Sequence, residues 1–336
     1  MIDTTLGRLV AGGDLSMDEM AECLAGVMRG EWSDGQIGLL LTALAEKGET
    51  VDEIAGAALA LRRSLTPIRS HRPDLLDTCG TGGDASGTFN ISTATAIVAA
   101  AAGVPIAKHG NRGITSRTGS ADVLRVLGVN VEAPVATVER CLDELGLCFC
   151  FAPLLHPAMR HVANVRRQLG RPTIFNVLGP LTNPASAPFQ LLGVGKSHLH
   201  PKLAAALAKL GSRRAAVVHG EDGLDEVTLS AKTQVIVVED HATRQLVWQP
   251  EDFDLPNVDR STLLVSGPDE SAAVIRGLLA GQPGPSREIV LANAAAALWV
   301  VGKVTDLREG ARVAAEAIDS RAATKLLDRL AALSSA

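Results

Sequence analysis

The chain has 336 residues, room for two domains at about 150 residues each, or for one large and one small domain around a well-buried core. Its 32 Lys and Arg against 37 Asp and Glu leave a formal charge of −5, which argues against a polybasic nucleic-acid or membrane-surface protein. Six Phe, three Trp and no Tyr leave too few rings for a platform that stacks several bases, while 21% charged and 46% apolar residues exclude a disordered chain.

Asp3 stands near the N-terminus, and no basic segment leads into an apolar run, so no signal peptide is expected and a cytoplasmic location is. Residues 15 to 65 read as three short helices. Leu15, Met20, Leu24, Val27 and Met28 lie near helical spacing, as do Ile37, Leu40, Leu41 and Leu44. Ser16 with Glu19, Ser33 with Gln36 and Thr50 with Glu53 each have the form of a capping box, and Lys47-Gly48 offers a stop. These apolar stripes exceed what a three-helix layer can bury alone, which predicts a dimer contact over residues 1–70.

From Leu75 short apolar runs ending in glycine turns alternate with Ala-rich helical segments, the rhythm of α/β architecture. The expected strands are Leu75 to Thr78, Val104 to Ala107, Ala215 to Val218 and Val235 to Val238. The expected helices are Ser92 to Ala102, Gly119 to Leu127, Val135 to Glu144, Pro201 to Leu210, Ser271 to Leu279 and Arg287 to Val301. His156 to Pro184 reads as irregular, with one helix near Met159 to Leu169, and Leu330 to Ala336 reads as a fraying end. Thr93 to Ala107, the longest apolar stretch, contains Gly103 and Pro105 and falls short of the roughly 18 to 20 residues that cross a bilayer. Five cysteines without paired CxxC spacing read as reduced thiols.

Four segments carry chemistry. Asp77-Thr78-Cys79-Gly80-Thr81-Gly82-Gly83-Asp84 runs from a strand into a glycine turn, followed by Asn90-Ile91-Ser92-Thr93 at a helix start. Glycines let backbone N–H groups approach an anion, and a helix N-terminus adds orphan donors, so the pair describes a phosphate cradle or else a structural turn with its cap. It is neither a P-loop nor a dinucleotide turn. Lys108-His109-Gly110-Asn111-Arg112 with Ser116, Thr118, Gly119 and Ser120 offers cations and hydroxyls at a strand's carboxyl end, and also fits a solvated charged loop. Val217 to Glu226 is a strand leading into an acidic turn, whose Asp225 and Glu226 suit magnesium if phosphates sit opposite. His156 to His161, with Arg166 and Arg167, puts guanidinium groups on a helix, where one can take a carboxylate bidentately or simply be surface charge.

Those segments resemble the anthranilate phosphoribosyltransferase family in order and approximate spacing. So do Gly119-Ser120-Ala121-Asp122, Phe175 to Pro184, Gly30 to Gln36 and Lys47 to Thr50, so that the likeness spans roughly residues 5 to 330. Cys150 before Phe151-Ala152-Pro153, Gly113-Ile114-Thr115 and Met159 depart from common family residues. The resemblance implies a small helical domain, residues 1–70, with a returning segment near 156–184, and a large α/β domain, 71–336, built on a mostly parallel sheet of the nucleoside phosphorylase and phosphoribosyltransferase kind. It implies attack of anthranilate's amine on C1 of phosphoribosyl pyrophosphate, releasing pyrophosphate, in a homodimeric enzyme of tryptophan biosynthesis.

By the same resemblance, Gly80, Gly83, Asp84, Thr88, Asn90, Ile91, Ser92 and Thr93 surround phosphoribosyl pyrophosphate. Lys108, His109, Gly110, Asn111, Arg112, Gly113, Ile114, Thr115, Ser116 and Ser120 complete that site. Ser92, Asp225 and Glu226 correspond to magnesium ligands. Gly80, Asn111 and Arg166 contact anthranilate, with His109, His156, Met159 and Pro180 lining its pocket, while Lys108 meets the leaving charge and His109 is placed to relay a proton. A pyrimidine nucleoside phosphorylase shares the architecture but would bind inorganic phosphate and a nucleoside, and the acidic pair and the arginine helix fit the transferase better. A nucleic-acid-binding relative is disfavoured by charge and by ring count.

Overall fold

The three caps read from the sequence all close in the computed structural model, which describes residues 2–84, 86–113 and 118–336. Ser16, Ser33 and Thr50 accept from the third residue of the helix they start, and Glu19, Gln36 and Glu53 reach back to the cap N–H groups. These helices are α2 (Met17–Met28), α3 (Asp34–Lys47) and α4 (Val51–Ser64), and a shorter α1 (Ile2–Val10) precedes them. The sequence reading missed α1, whose nine residues include Gly7 and hold to the bundle by Leu6 and Leu9. Buried Glu53 also accepts from Leu15 N (3.0 Å) and from Lys47 Nζ (2.6 Å), so one carboxylate ties three pieces of the bundle together.

The remaining elements follow in order: β1 (Leu76–Asp77), α5 (Ile91–Ala101), β2 (Ile106–Gly110), α6 (Ser120–Val126), α7 (Val135–Leu145), β3 (Leu147–Phe151) and α8 (Ala152–Leu155). Then come α9 (Arg160–Leu169), α10 (Phe175–Leu178), β4 (Phe189–Gly193), α11 (His200–Lys209), β5 (Arg214–Gly220), β6 (Thr233–Glu239) and β7 (Ala242–Trp248). Four helices end the chain: α12 (Pro268–Leu279), α13 (Pro285–Val300), α14 (Leu307–Asp319) and α15 (Ala322–Ser334). The seven strands lie in the order β3-β2-β1-β4-β5-β6-β7. The first five run parallel, and β6 and β7 form an antiparallel margin.

Side-chain alternation divides the sheet between two cores. Ala216, Val218, Val235 and Val237 face the core shared with α5, α7 and α12 to α15. Their neighbours Ala215, Val217, Ile236 and Val238 face the core shared with α1 to α4, α9 and α11. Helix α11 lies on this face of the sheet and α4 packs on α11, so the helical bundle joins the same core through it, and its Leu, Ile and Met stripes are buried within the chain. That corrects the surplus of apolar surface expected of a three-helix layer; Val10 (60% exposed) and Leu39 (44%) are what remain outside.

Two more expectations change. Residues 330–336 do not fray: α15 continues to Ser334, Leu330 is buried, and Ser334 Oγ accepts from Asn130 N at 2.9 Å. The second strand starts and ends later than expected, so Lys108, His109 and Gly110 stand on β2 itself. No helix among the described residues is long and apolar enough to cross a membrane.

Candidate active site

At the carboxyl ends of β1, β2 and β5 the sheet opens into a cavity of about 650 Å³, the place where parallel α/β sheets take ligands. One wall is the glycine turn after β1. Gly82 and Gly83 have left-handed backbones (φ 62° and 79°), which only glycine adopts without strain. Opposite it comes the acidic turn after β5. A β carbon at Gly193, the end of β4, would collide with the carbonyl of Asp225, so this glycine admits the turn. Asp225 Oδ2 then accepts from Gly82 N at 3.0 Å, joining the two loops.

The N-terminus of α5 enters the same cavity with Asn90, Ile91 and Ser92. The backbone N–H of Ser92 lies beside the Glu226 carboxylate and, with Lys108, favours its charged form. Lys108, 3% exposed, donates from Nζ to Ser92 Oγ (3.2 Å) and to the carbonyl and hydroxyl of Thr78 (both 3.3 Å). Lys108, Ser92 and Glu226 thus meet at one point. Burial, then the neighbouring Asp84, pushes Asp225 up to about 8, and burial with Asp225 beside it pushes Glu226 well above the carboxylate range. Asp84 Oδ2 is buried and receives no hydrogen bond from any described residue. Three crowded acids with an orphaned oxygen, next to a serine hydroxyl, form a hard oxygen donor set that fits a magnesium ion.

Across the cavity, α9 presents Arg166, half-buried, with its guanidinium 5.4 Å from the ring centre of Phe175 and no hydrogen bond or ion pair with any described residue. Burial lowers its pKa, the sign of a cation held without a counter-charge. Met159 and Pro180 line this end. His109 and His156 stand between the two ends, their Nε2 atoms 3.1 Å apart. His109 Nδ1 lies 2.9 Å from the Gly179 carbonyl, an acceptor only, so Nδ1 carries the proton and Nε2 receives the hydrogen bond from His156. Burial drives both imidazoles down, His109 to about 3 and His156 to about 4, so both are neutral at pH 7.

Of the residues singled out from the sequence, Gly80, Asp84, Thr88, Asn90, Ile91, Ser92, Lys108, His109, Gly110, Asn111, Arg112 and Ser120 line the cavity. So do His156, Met159, Arg166, Pro180, Asp225 and Glu226. Gly83 and Gly113 lie outside its wall, and Thr93 points from α5 into the core. Ile114, Thr115 and Ser116 lie outside the described residues. Asn90 turns its amide to Thr118 and Ser271, a bracing role. Arg112 makes a surface ion pair with Glu132 at 2.6 Å, an exposed contact of small worth, and lies 5.5 Å from the ring centre of Phe151. The sequence reading passed over Phe175, although it is the one ring in the Phe175 to Pro184 run.

Known proteins match this chain over nearly all its length. Residues 4–65 match the family described as glycosyl transferase family, helical bundle domain, and residues 72–324 the glycosyl transferase family, a/b domain. An anthranilate phosphoribosyltransferase of Rhodopirellula baltica is 52% identical over 320 residues, 95% of this chain and 94% of that one. The crystal structure of anthranilate phosphoribosyltransferase from Thermus thermophilus superposes with a TM-score of 0.93 at 44% identity, covering 98% of this chain and 99% of its own. The Saccharomyces cerevisiae enzyme, solved in complex with PRPP and Mg, superposes at 0.90 with 31% identity over 99% and 98% of the two chains.

Proposed function

This chain belongs to the anthranilate phosphoribosyltransferase family, and we propose from that premise how its cleft carries a phosphoribosyl group to anthranilate. The enzyme is a glycosyltransferase of tryptophan biosynthesis. One observation carries the reading of the cleft: a single cavity has a glycine turn, a helix N-terminus and a buried lysine at one end, and an unpaired guanidinium over a ring at the other.

The amine nitrogen attacks C1 of phosphoribosyl pyrophosphate, the bond from C1 to the diphosphate oxygen breaks, and the nitrogen sheds a proton. The transition state has oxocarbenium character, so holding the amine in line and stabilising the leaving charge are the main tasks. The turn at Gly80 and the α5 N-terminus hold phosphate through backbone N–H groups. Lys108 faces the departing diphosphate. Asp225, Glu226 and Ser92 would hold a magnesium ion, which when bound offsets the diphosphate charge. The aryl amine is a usable nucleophile without a general base. His109, neutral and engaged at both nitrogens, shapes the acceptor pocket and passes a proton only through His156.

Arg166 binds anthranilate's carboxylate, since a guanidinium presents paired donors to a planar anion and Phe175 beneath it fixes the plane. Arg166→Ala is expected to raise the anthranilate KM roughly ten- to a hundredfold, the worth of a charged hydrogen bond, with the donor KM nearly unchanged. Arg167, exposed and outside the cavity wall, is the control. Steady-state assays that follow loss of anthranilate fluorescence measure both, and equal behaviour of the two variants would put the wrong substrate on α9. A coupled assay with a panel of aminobenzoates tests the acceptor itself.

The division into a helical domain, residues 1–70 with the returning 156–184 segment, and an α/β domain, 71–336, puts donor and acceptor ends on different domains. We further propose a homodimer through the N-terminal helices, on the exposed Val10 of α1 and Leu39 of α3, helices that pack on each other. Light scattering at micromolar concentration is expected to give twice the chain mass, and a strict monomer would overturn this. Five free cysteines suit a reducing cytoplasm. The partners of such a site are small phosphorylated and aromatic acids, not nucleic acid or membrane.

A further inference from the structure

The buried acid at the end of β1 has no part in the chemistry above, yet it holds three segments of the site. β1 stops at Asp77, whereas its neighbour β2 runs on to Gly110, and the two strands share one register pair, Leu76 with Ile106. Past that pair the backbone N–H of His109 has no strand carbonyl to meet. It donates instead to Asp77 Oδ1 at 3.1 Å, and Cys79 N, the first residue of the glycine turn, donates to the same oxygen at 3.1 Å. Asp77 Oδ2 accepts from Asn183 Nδ2 at 2.7 Å.

Asn183 has no freedom in this arrangement. Its Nδ2 also donates to the Ala107 carbonyl on β2 (2.8 Å), and its Oδ1 accepts from Ala185 N (2.8 Å), so a flipped amide would set donor against donor. Both side chains are buried, Asp77 at 1% exposure. Burial raises the Asp77 pKa to about 6, with the hydrogen bonds and Lys108 opposing the rise, so the carboxylate is charged at pH 7. A charge kept in a dry place needs all its partners, which makes the arrangement rigid. Lys108 Nζ is bonded to the Thr78 carbonyl, one residue beyond Asp77, so the separation of turn and strand sets where the ammonium stands.

We propose that Asp77 and Asn183 are positioning residues for phosphoribosyl transfer, fixing the glycine turn and the Lys108 end of β2 at the spacing that the donor's diphosphate needs. The proposal rests on the function given above. In Asp77→Asn the Oδ1 bonds survive, but two NH₂ groups face each other across the pair. In Asn183→Asp two carboxylate groups do. The exchange Asp77→Asn with Asn183→Asp restores one donor facing one acceptor across the pair, though like Asn183→Asp alone it sets a carboxylate oxygen against the Ala107 carbonyl.

Each single variant is expected to lose about tenfold or more in kcat/KM for the donor, while the anthranilate KM moves less than about threefold. The exchange variant is expected to recover about fivefold or more over the weaker single, beyond what independent effects allow. If the exchange variants do not fold, Asn183→Ala, which buries no new charge, is expected to show the same donor-selective loss. Equal losses on both substrates, an exchange variant no better than either single, or Asn183→Ala with the wild-type donor kcat/KM would each overturn the proposal. The wild-type enzyme in the same assay separates the two readings. If it fails to consume anthranilate, the function itself is wrong, whereas an active wild type with an insensitive Asn183→Ala removes only the positioning role.

Discussion

Asp225→Asn combined with Glu226→Gln is expected to cut turnover by about a thousandfold or more at ordinary magnesium, roughly 4 kcal/mol of transition-state stabilisation. Both carboxylates face the cavity next to Asp84, and Glu226 meets Ser92 at the point where Lys108 Nζ also bonds. Amides keep the shape and remove the charge that would hold a divalent cation. They also relieve the crowding of three neighbouring acids, so circular dichroism and thermal melting are expected to show an intact fold. Function and stability then part company here, as they do where a site keeps like charges together for a ligand's sake. Turnover within about tenfold of wild type would remove the acidic turn from the mechanism.

Lys108→Met is expected to lower kcat about a hundred- to a thousandfold, the range seen when one preorganised charge or donor is taken from a developing anion. Lys108 is nearly inaccessible, and its three hydrogen bonds aim the ammonium at the turn and at Ser92. Met has a similar reach and keeps the packing of the stem while deleting the charge. Because the proposed acceptor end is built from α9 and Phe175, the anthranilate KM is expected to stay nearly constant. An unchanged kcat with a raised anthranilate KM would place the lysine in the wrong half of the cleft. A melting curve separates lost chemistry from lost fold, since removal of the ammonium leaves Asp77 and Glu226 with one fewer positive neighbour.

The local signals that served best were those in which one residue's chemistry decides one backbone feature. Ser16, Ser33 and Thr50 are caps wherever the chain finds itself, because their oxygens satisfy N–H groups a few residues away. The missing strands show the converse. Leu147-Cys148-Phe149-Cys150-Phe151 and Phe189 to Gly193 are covered on both faces, so neither has the polar alternation that marks a strand. At the margin, β7 carries exposed Thr243, Arg244 and Gln245 and is held by its ladder with β6, a long-range partner that no window of sequence contains.

By itself the sequence determined the α/β class, the helical start, the glycine turn, the acidic turn and the basic strand end, each a matter of residues adjacent in the chain. Only the tertiary structure decided that these lie around one cavity, since Gly82 and Asp225 are 143 residues apart and meet through a hydrogen bond. It decided that Lys108 is a buried strand residue and that the N-terminal stripes are covered by one another and by α9 to α11. It also decided that Asp77 stands in for a missing strand partner, with Asn183 arriving from 106 residues away. The reason is physical: turns and caps are settled by bonds within a few residues, whereas burial, electrostatic crowding and the pairing of distant donors and acceptors exist only once the sheet has brought its strand ends together.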